Sequence, residues 1–353
     1  MKSKVKHMEL MRMLFAIGIS LSIVFLIILV VSDNPSVAIS SFILGPLSSV
    51  RRLGNIIELM IPLMFSGLSI IFLFKTGLFN LSAEGAIFSG AVIAAMLGIT
   101  LKTPPIISIL ISFLLAGIIG AIITVIPGFL KVKFNANEIV TSLMLNFVCL
   151  NIGLFFIHEF FLDPNVNSPY TYKFQNGVSL PKIISGTRIH FGLIIAILAI
   201  LLAWIVLKKT PFGISTNLVG SNKKMSEYVG INSSKIILAT QLIGGFIAGL
   251  GGSVELFGMY NRFQFGGLTG YGWDGIPIAI IAVNNPKNVP FAALFFAYLK
   301  IGADIMARQS DIPFEIVQII QAIMIIFISA QALLSGYRKR VMMQEIQRME
   351  KEV

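Results

Sequence analysis

The chain has 353 residues, 56% of them hydrophobic and only 12% charged, with a mean hydropathy of +0.88. This composition excludes an ordinary soluble domain, and the single cysteine, Cys149, excludes an intrachain disulfide framework or a cysteine-built metal centre. The net charge of +11 does not signal nucleic acid, because Lys and Arg gather at the ends of apolar runs, where charges set membrane topology.

Hydrocarbon leaves no outside partner for backbone polar groups, so the expected fold class is an all-α polytopic membrane protein. A span needs roughly 20 apolar residues to cross ~30 Å. A basic leader, 1–12, precedes the first run, 13–31. That run is too long for a signal peptide and has no small-x-small cleavage site, so it reads as a retained span. After a polar connection at 33–52 come runs at 53–74, 77–99, 106–130 and 139–161, the first of them carrying Glu58 and Pro62. Residues 162–188 form a long polar loop rich in turn formers, including Pro164, Pro169, Asn176-Gly177 and Pro181. Further runs follow at 191–207, 236–257, 273–283, 289–303 and 314–334, giving about ten segments within a membrane domain at 13–335, and then a charged tail at 336–353. The runs at 273–283 and 289–303 are short enough to be broken, tilted or re-entrant. Lys and Arg divide roughly two to one in favour of one face when both termini are cytoplasmic.

The island at 208–235 falls on that basic face, with Lys208, Lys209, Lys223, Lys224 and Lys235 against one acid, Glu227. Gly220 and Gly230 bracket a short segment that Asn222 is suited to cap. Leu218, Met225 and Val229 share one side at helical spacing, with Tyr228 beside them. The pattern predicts a short amphipathic helix carried between two spans as a docking surface; the bland alternative is a solvated basic loop.

Ionisable groups within spans are costly, which makes each a functional candidate. Glu84 lies in GLFNLSAEGAIFSG with Asn80 and Ser82, and Asp274 lies in GLTGYGWDGIPIAI. The two stretches match as Gly-Leu, five residues, acid-Gly, and then an apolar run. Entered from opposite faces, they predict an inverted repeat whose interrupted helices meet near the midplane. Asn137, Thr141 and Asn146 are candidates to line a path, while Glu138 is also placed to stabilise a helix start. Gln241, Glu255, Gln318 and Gln321 read as polar links between helices, and Gly245 with Gly249 as a close-packing pair. His158 and His190 lie near span ends, and Lys300 and Asp304 are one turn apart. The sequence contains no G-x-x-x-x-G-K-[ST], H-E-x-x-H or G-x-S-x-G motif, and no filter or voltage-sensor pattern. It reads as a conduit whose energy comes from elsewhere. If the source were an ion gradient, Glu84, Asp274 and Glu138 would be the coupling carboxylates; a membrane enzyme has no catalytic constellation behind it.

KTGLFNLSAEGAIFSGA, NANEIVTSLMLNF and TPFGISTNLVGSNKKMSEYVGI followed by GGFIAGLGGSVELFG resemble bacterial ABC-transporter permeases of the branched-chain amino acid, simple-sugar and nucleoside importers. The similarity is greatest to the larger permease subunit of nucleoside importers and runs over most of 53–335. It implies alternating access in the plasma membrane, driven by a separate cytoplasmic ATP-binding subunit, so that ATP is used on the partner and this chain carries no cofactor. It also implies a second permease, a related chain, and an extracellular substrate-binding lipoprotein. A simple-sugar permease is the alternative within the family. The coupling segment would be 215–230, with Leu218, Asn222, Met225, Tyr228, Val229 and Gly230. Asn80, Glu84 and Asn146 would lie near the pathway. One departure stands out: the family often carries Gly-Gly after the eighth apolar piece, where this chain has Asn284-Asn285-Pro286.

Overall fold

A computed structural model describes residues 18, 22–166, 168–313, 315–316, 318–323 and 326. The described residues are helical apart from loops and two isolated antiparallel bridges, Leu162 with Thr171 and Lys182 with His190. Among the described residues seven helices are long and apolar enough to cross a membrane. They are α3 (Val50–Lys75), α4 (Ala83–Thr100), α5 (Pro105–Phe134), α6 (Glu138–Phe160), α7 (Gly192–Lys209), α10 (Ser233–Met259) and α12 (Val289–Gln309), the last preceded by a short turn at Pro286–Asn288. Shorter helices are α1 (Ser22–Val31), α2 (Pro35–Ile43), α8 (Pro211–Ser221), α9 (Lys223–Tyr228) and α11 (Tyr271–Ile281).

The ten expected segments therefore resolve differently. The run at 273–283 is an 11-residue helix, too short to span. The run at 77–99 begins as a non-helical stretch, with helix only from Ala83. The connection at 33–52 contains α2 and a 3₁₀ turn, Gly45–Leu47. Leader 1–12, tail 336–353 and most of 314–334, with the candidate Gln321 near its start, fall at or beyond the margin of the described residues.

The chain divides into two compact units, Gly54–Ala297 and Met1–Leu53 with Tyr298–Val353. Within the larger unit α3 is the central helix: 83% of its apolar window is buried, against 22% for α6. The closest packing is between α5 and α10. Every fourth residue of α5 on one side is small (Ser108, Ser112, Ala116, Gly120, Thr124, Gly128), and all of these are buried. Every fourth residue on another side is large and exposed (Leu110, Leu114, Ile118, Ile122, Ile126). The small file meets Gly245 and Gly249 of α10 so closely that a Cβ at either glycine would strike the α5 backbone. Without a hydrophobic drive between helices in lipid, such backbone approach supplies the dispersion contacts that hold them.

Local chemistry sets the helix ends. Asn135 adopts φ 52° after α5, and the Asn135 and Ala136 N–H groups donate to Lys131 O and Leu130 O. Asn137 then caps α6, accepting from the Ile139 and Val140 N–H groups at 3.0 and 3.3 Å. The loop at 161–191 is stitched to the end of α10 and the chain beyond it: Leu180 N–H donates to Phe257 O at 2.8 Å, Phe174 N–H to Asn261 O at 3.0 Å and Thr171 N–H to Phe263 O at 3.1 Å.

In the smaller unit the Asp311 carboxylate accepts from the Ser32 hydroxyl at 2.6 Å and from the Asp33 N–H at 2.5 Å. Asp304 is held by Arg308, one turn further on, at 3.0 Å from its Nε.

Candidate functional site

Two regions bring the candidate residues together. The first is the break between α3 and α4. Gly77 turns the chain at φ +80°, and residues 76–82 are non-helical, with Thr76, Leu78, Asn80 and Ser82 buried where backbone groups need partners. Side chains supply them. Asn80, fully buried, donates to Thr124 O and to Gln241 Oε1, both at 2.7 Å, and accepts from the Ser82 N–H and hydroxyl at 3.0 and 2.6 Å. Gln241 in turn donates to Leu73 O at 3.1 Å. Ser142 and Asn146 on α6 hold the next residue on both sides: Leu81 N–H donates to Ser142 Oγ, and Asn146 donates to Leu81 O, both at 3.0 Å. Asn146 Oδ1 also accepts the Gly85 N–H at 2.9 Å. The amides of Asn80 and Asn146 are thus occupied by the chain itself.

Glu84, in the first turn of α4, turns the other way. Its carboxylate accepts the Gly270 N–H at 2.6 Å, the Thr269 hydroxyl at 3.2 Å and the Gly272 N–H at 2.5 Å. It therefore sits on the N-terminus of α11, where unpaired N–H groups and the helix dipole favour an anion. Gly272 is needed there, since a Cβ would collide with the Glu84 backbone. Asp274 is buried in the first turn of α11 and within electrostatic reach of Glu84. At the far end of α11, Lys75 Nζ donates to Asn284 O at 3.3 Å. The stretches around Glu84 and Asp274 thus meet. Asn137 and Thr141 are elsewhere, at the outward start of α6, where Thr141 donates to Asn137 O at 3.0 Å and Glu138 pairs with Lys131 at 3.1 Å.

A second polar group lies at the other end of α3; its glutamates stand out singly in the sequence, but their meeting does not. Glu58 of α3, Glu255 of α10 and Tyr271 are gathered there, with the Tyr271 hydroxyl donating to Glu255 Oε1 at 3.0 Å. Half-buried Tyr260, just past α10, has its phenol pushed up to about 12 by burial and by nearby Glu255 and Glu58. His190 before α7 is fully buried, and burial pulls its imidazole down to about 4.

The second region is the island. It holds two helices, α8 and α9, rather than one. Asn222 caps α9 by accepting the Met225 N–H at 3.0 Å, and Gly230 closes it at φ +85°. Asn232 then caps α10, accepting from the Lys235 N–H at 3.0 Å, and Ser233 donates to the Glu227 carboxylate. Helix α9 is thereby fastened to α10. Its apolar side faces out: Met225, Tyr228 and Val229 are 61%, 91% and 68% exposed, and Leu218, Ser221 and Ser226 border a shallow groove beside them. Gly220 lets α8 touch the Lys75 carbonyl, which joins the island to the end of α3.

The family described as branched-chain amino acid transport system / permease component matches residues 52–329. The guanosine ABC transporter permease protein NupP of Bacillus subtilis is 32% identical, over 90% of this chain and 92% of that one. The glucose ABC transporter permease protein TsgB13 of Haloferax volcanii is 31% identical, over 83% and 80%. The nucleoside ABC transporter permease protein NupB of Lactococcus lactis is 30% identical, over 87% and 86%. A second permease protein from each of the two bacteria, NupQ and NupC, matches at 25% and 26% identity. With its apolar helices and this match, the chain belongs to the branched-chain amino acid transport system permease family and is a multi-pass protein of the plasma membrane.

Proposed function

We propose that the chain is the pore-forming permease subunit of a nucleoside ABC importer. The observation that carries this reading is α9: a short helix fastened to α10, with three large apolar side chains facing outward on a chain that has no phosphate-binding loop of its own. A separate ATP-binding subunit docks there from the cytoplasm, with Leu218, Asn222, Met225, Tyr228, Val229 and Gly230 as the coupling segment. Both termini are then cytoplasmic, 208–235 is the coupling loop, and 162–188 faces the extracellular binding lipoprotein. The stretches around Glu84 and Asp274 act as the paired interruptions of an inverted repeat bordering the substrate path. Asn80 and Asn146 shape that border, and Asn137 and Thr141 line its rim. The pore needs a second permease chain, a reading supported by the paired relatives NupP with NupQ and NupB with NupC.

A sugar permease is the second reading, favoured by the 31% identity to a permease named for glucose. Uptake of radiolabelled nucleosides and monosaccharides by cells expressing the complete transporter decides between them. Nucleoside uptake that stops when ATP is depleted supports the proposal. Sugar-only uptake overturns the substrate assignment, and uptake abolished by an uncoupler at constant ATP overturns the ATPase coupling.

A further inference from the structure

The stretch Asn284-Asn285-Pro286, which stands out in the sequence, carries Lys287 to the end of α7. The turn that presents this lysine is fixed in place. Asn285 Oδ1 accepts the Lys287 N–H at 3.4 Å, Asn288 donates to Ala282 O at 3.2 Å, and Pro286 is buried. The turn packs against α7. Lys287 Nζ lies 3.8 Å from the centroid of the Trp204 ring, and Lys209 Nζ lies 5.9 Å from the same centroid. Two ammonium groups thus share one indole, whose π face attracts cations. Lys208 is exposed one turn past Trp204, and Lys75 reaches the start of the same stretch, donating to Asn284 O at 3.3 Å. Among the described residues no carboxylate lies in ion-pair range of any of these four lysines.

The face of α7 leading up to these charges is apolar and uncovered. Ile194, Ile197 and Leu201 precede Trp204 at helical spacing, each of them exposed, and Lys208 continues the file. The order along the helix is exposed aliphatic side chains, then a half-buried indole, then cations. A lipid leaflet has the same order: acyl chain, interface and phosphate. A docked soluble partner would not meet the aliphatic turns, because they lie within a span. The island offers such a partner a different surface, Met225, Tyr228 and Val229 of α9. Like charges gathered without a counter-charge repel one another, and an anion between them removes that cost.

We infer that Lys209, Lys287 and Trp204 form a binding site for an anionic phospholipid, its phosphate held between the two ammonium groups and its acyl chains along Leu201, Ile197 and Ile194. Lys208 and Lys75 flank the site and add to its positive field. The site goes beyond the import reading and does not depend on what is transported. Lysine suits this role, because its ammonium is a compact donor on a flexible stem that reaches from a span end to the headgroup level. A zwitterionic lipid brings a cation of its own to the same place and is disfavoured there. An occupied site ties the end of α7 to the turn that follows α11.

The chain has two tryptophans, so Trp273→Phe leaves Trp204 as the reporter. The full-length chain with this change is placed in vesicles of phosphatidylcholine and phosphatidylglycerol in equal parts, with bromine on the acyl chains of one lipid or of the other. Brominated phosphatidylglycerol is expected to quench Trp204 the more strongly, with an affinity about tenfold that of phosphatidylcholine. Lys209→Gln combined with Lys287→Gln is expected to bring the two lipids close to parity. Lys133→Gln, which removes a lysine set over Phe129 and Phe134 at the end of α5, is expected to leave the preference unchanged. Equal quenching by both lipids with all lysines present overturns the site. So does an equal loss of preference in Lys133→Gln, the mark of general surface attraction. Weak quenching by either lipid means that protein covers this face, and overturns it too. In the complete transporter, native mass spectrometry is expected to retain phosphatidylglycerol over phosphatidylcholine. A preference lost when the ATP-binding subunit is bound assigns the lysines to that partner and overturns the proposal.

Discussion

Glu84 accepts the backbone N–H of Gly272 at 2.5 Å across 188 positions of sequence, which makes the start of one helix the cap of another. The same carboxylate takes Gly270 and Thr269, so its removal strands two backbone donors and a hydroxyl inside the bundle. Glu84→Ala is expected to destabilise the protein by about 3 kcal/mol, with Glu84→Gln costing less because one acceptor remains. Thermal unfolding of the detergent-purified protein checks this. Equal melting temperatures for wild type and Glu84→Ala would remove the capping role.

The glycines of α10 give a paired test. A Cβ at Gly249 would meet the Ala116 carbonyl, and one at Gly252 the Ile87 carbonyl, whereas one at Gly267 meets nothing within 4 Å. Gly249→Val and Gly252→Val are expected to lower the yield of folded protein severely, since the obstruction is backbone. Gly267→Ala is expected to leave the melting temperature unchanged or slightly raised. Fluorescence-detected size exclusion separates these outcomes.

Docking through α9 is tested by Met225→Asp combined with Val229→Asp. Both side chains are exposed, so the fold is expected to persist while uptake falls at least tenfold and the ATP-binding subunit no longer co-purifies. Normal uptake by this double variant would show that the ATPase engages another surface.

His190 predicts an acid limit on stability. Its Nδ1 accepts the Gly192 N–H at 3.2 Å, which leaves the proton of the neutral ring on Nε2, a buried atom without a partner. Burial lowers the imidazole from 6.5 to about 4, so the unfolded chain binds the proton more readily than the folded one. The stabilisation is therefore complete above pH 6.5 and is lost as pH falls towards 4, by up to about 3 kcal/mol. Denaturation midpoints between pH 4 and 7 should slope in wild type and flatten in His190→Gln.

Val283 and Asn284 occupy the left-handed region at φ 53° and 51°, a conformation that favours glycine. Asn tolerates this region, but a β-branched residue is strained in it. Val283 is also largely exposed and has little packing to lose. Val283→Gly is expected to stabilise the protein by about 1 kcal/mol, seen as a higher melting temperature. A lower one would place the strain elsewhere.

Much of this architecture can be read before folding, and the part that cannot has a physical cause. Caps are local, so Asn222 and Gly230 mark α9 correctly from their neighbours alone. Gly245 and Gly249 announce close packing because nothing but a backbone can fill the space they leave. An interruption near Gly77 is suggested by the sequence, but its extent over 76–82 is not, because the partners that hold it open, Thr124, Ser142, Asn146 and Gln241, lie far along the chain. The complementary file of small residues on α5 is legible in hindsight from its period of four, hidden among isoleucines and leucines. Tyr271 and Glu255 find each other only when the chain returns from α10 into α11. Polar contacts of this range have no sequence signature.

Helix α11 is gripped at both tips by one short stretch of chain, with Glu84 on its leading tip and Lys75 on its trailing one. Sliding it along its own axis would stretch one of those two holds while relaxing the other. The start of α4 and the start of α11 are thus fixed to each other by one carboxylate.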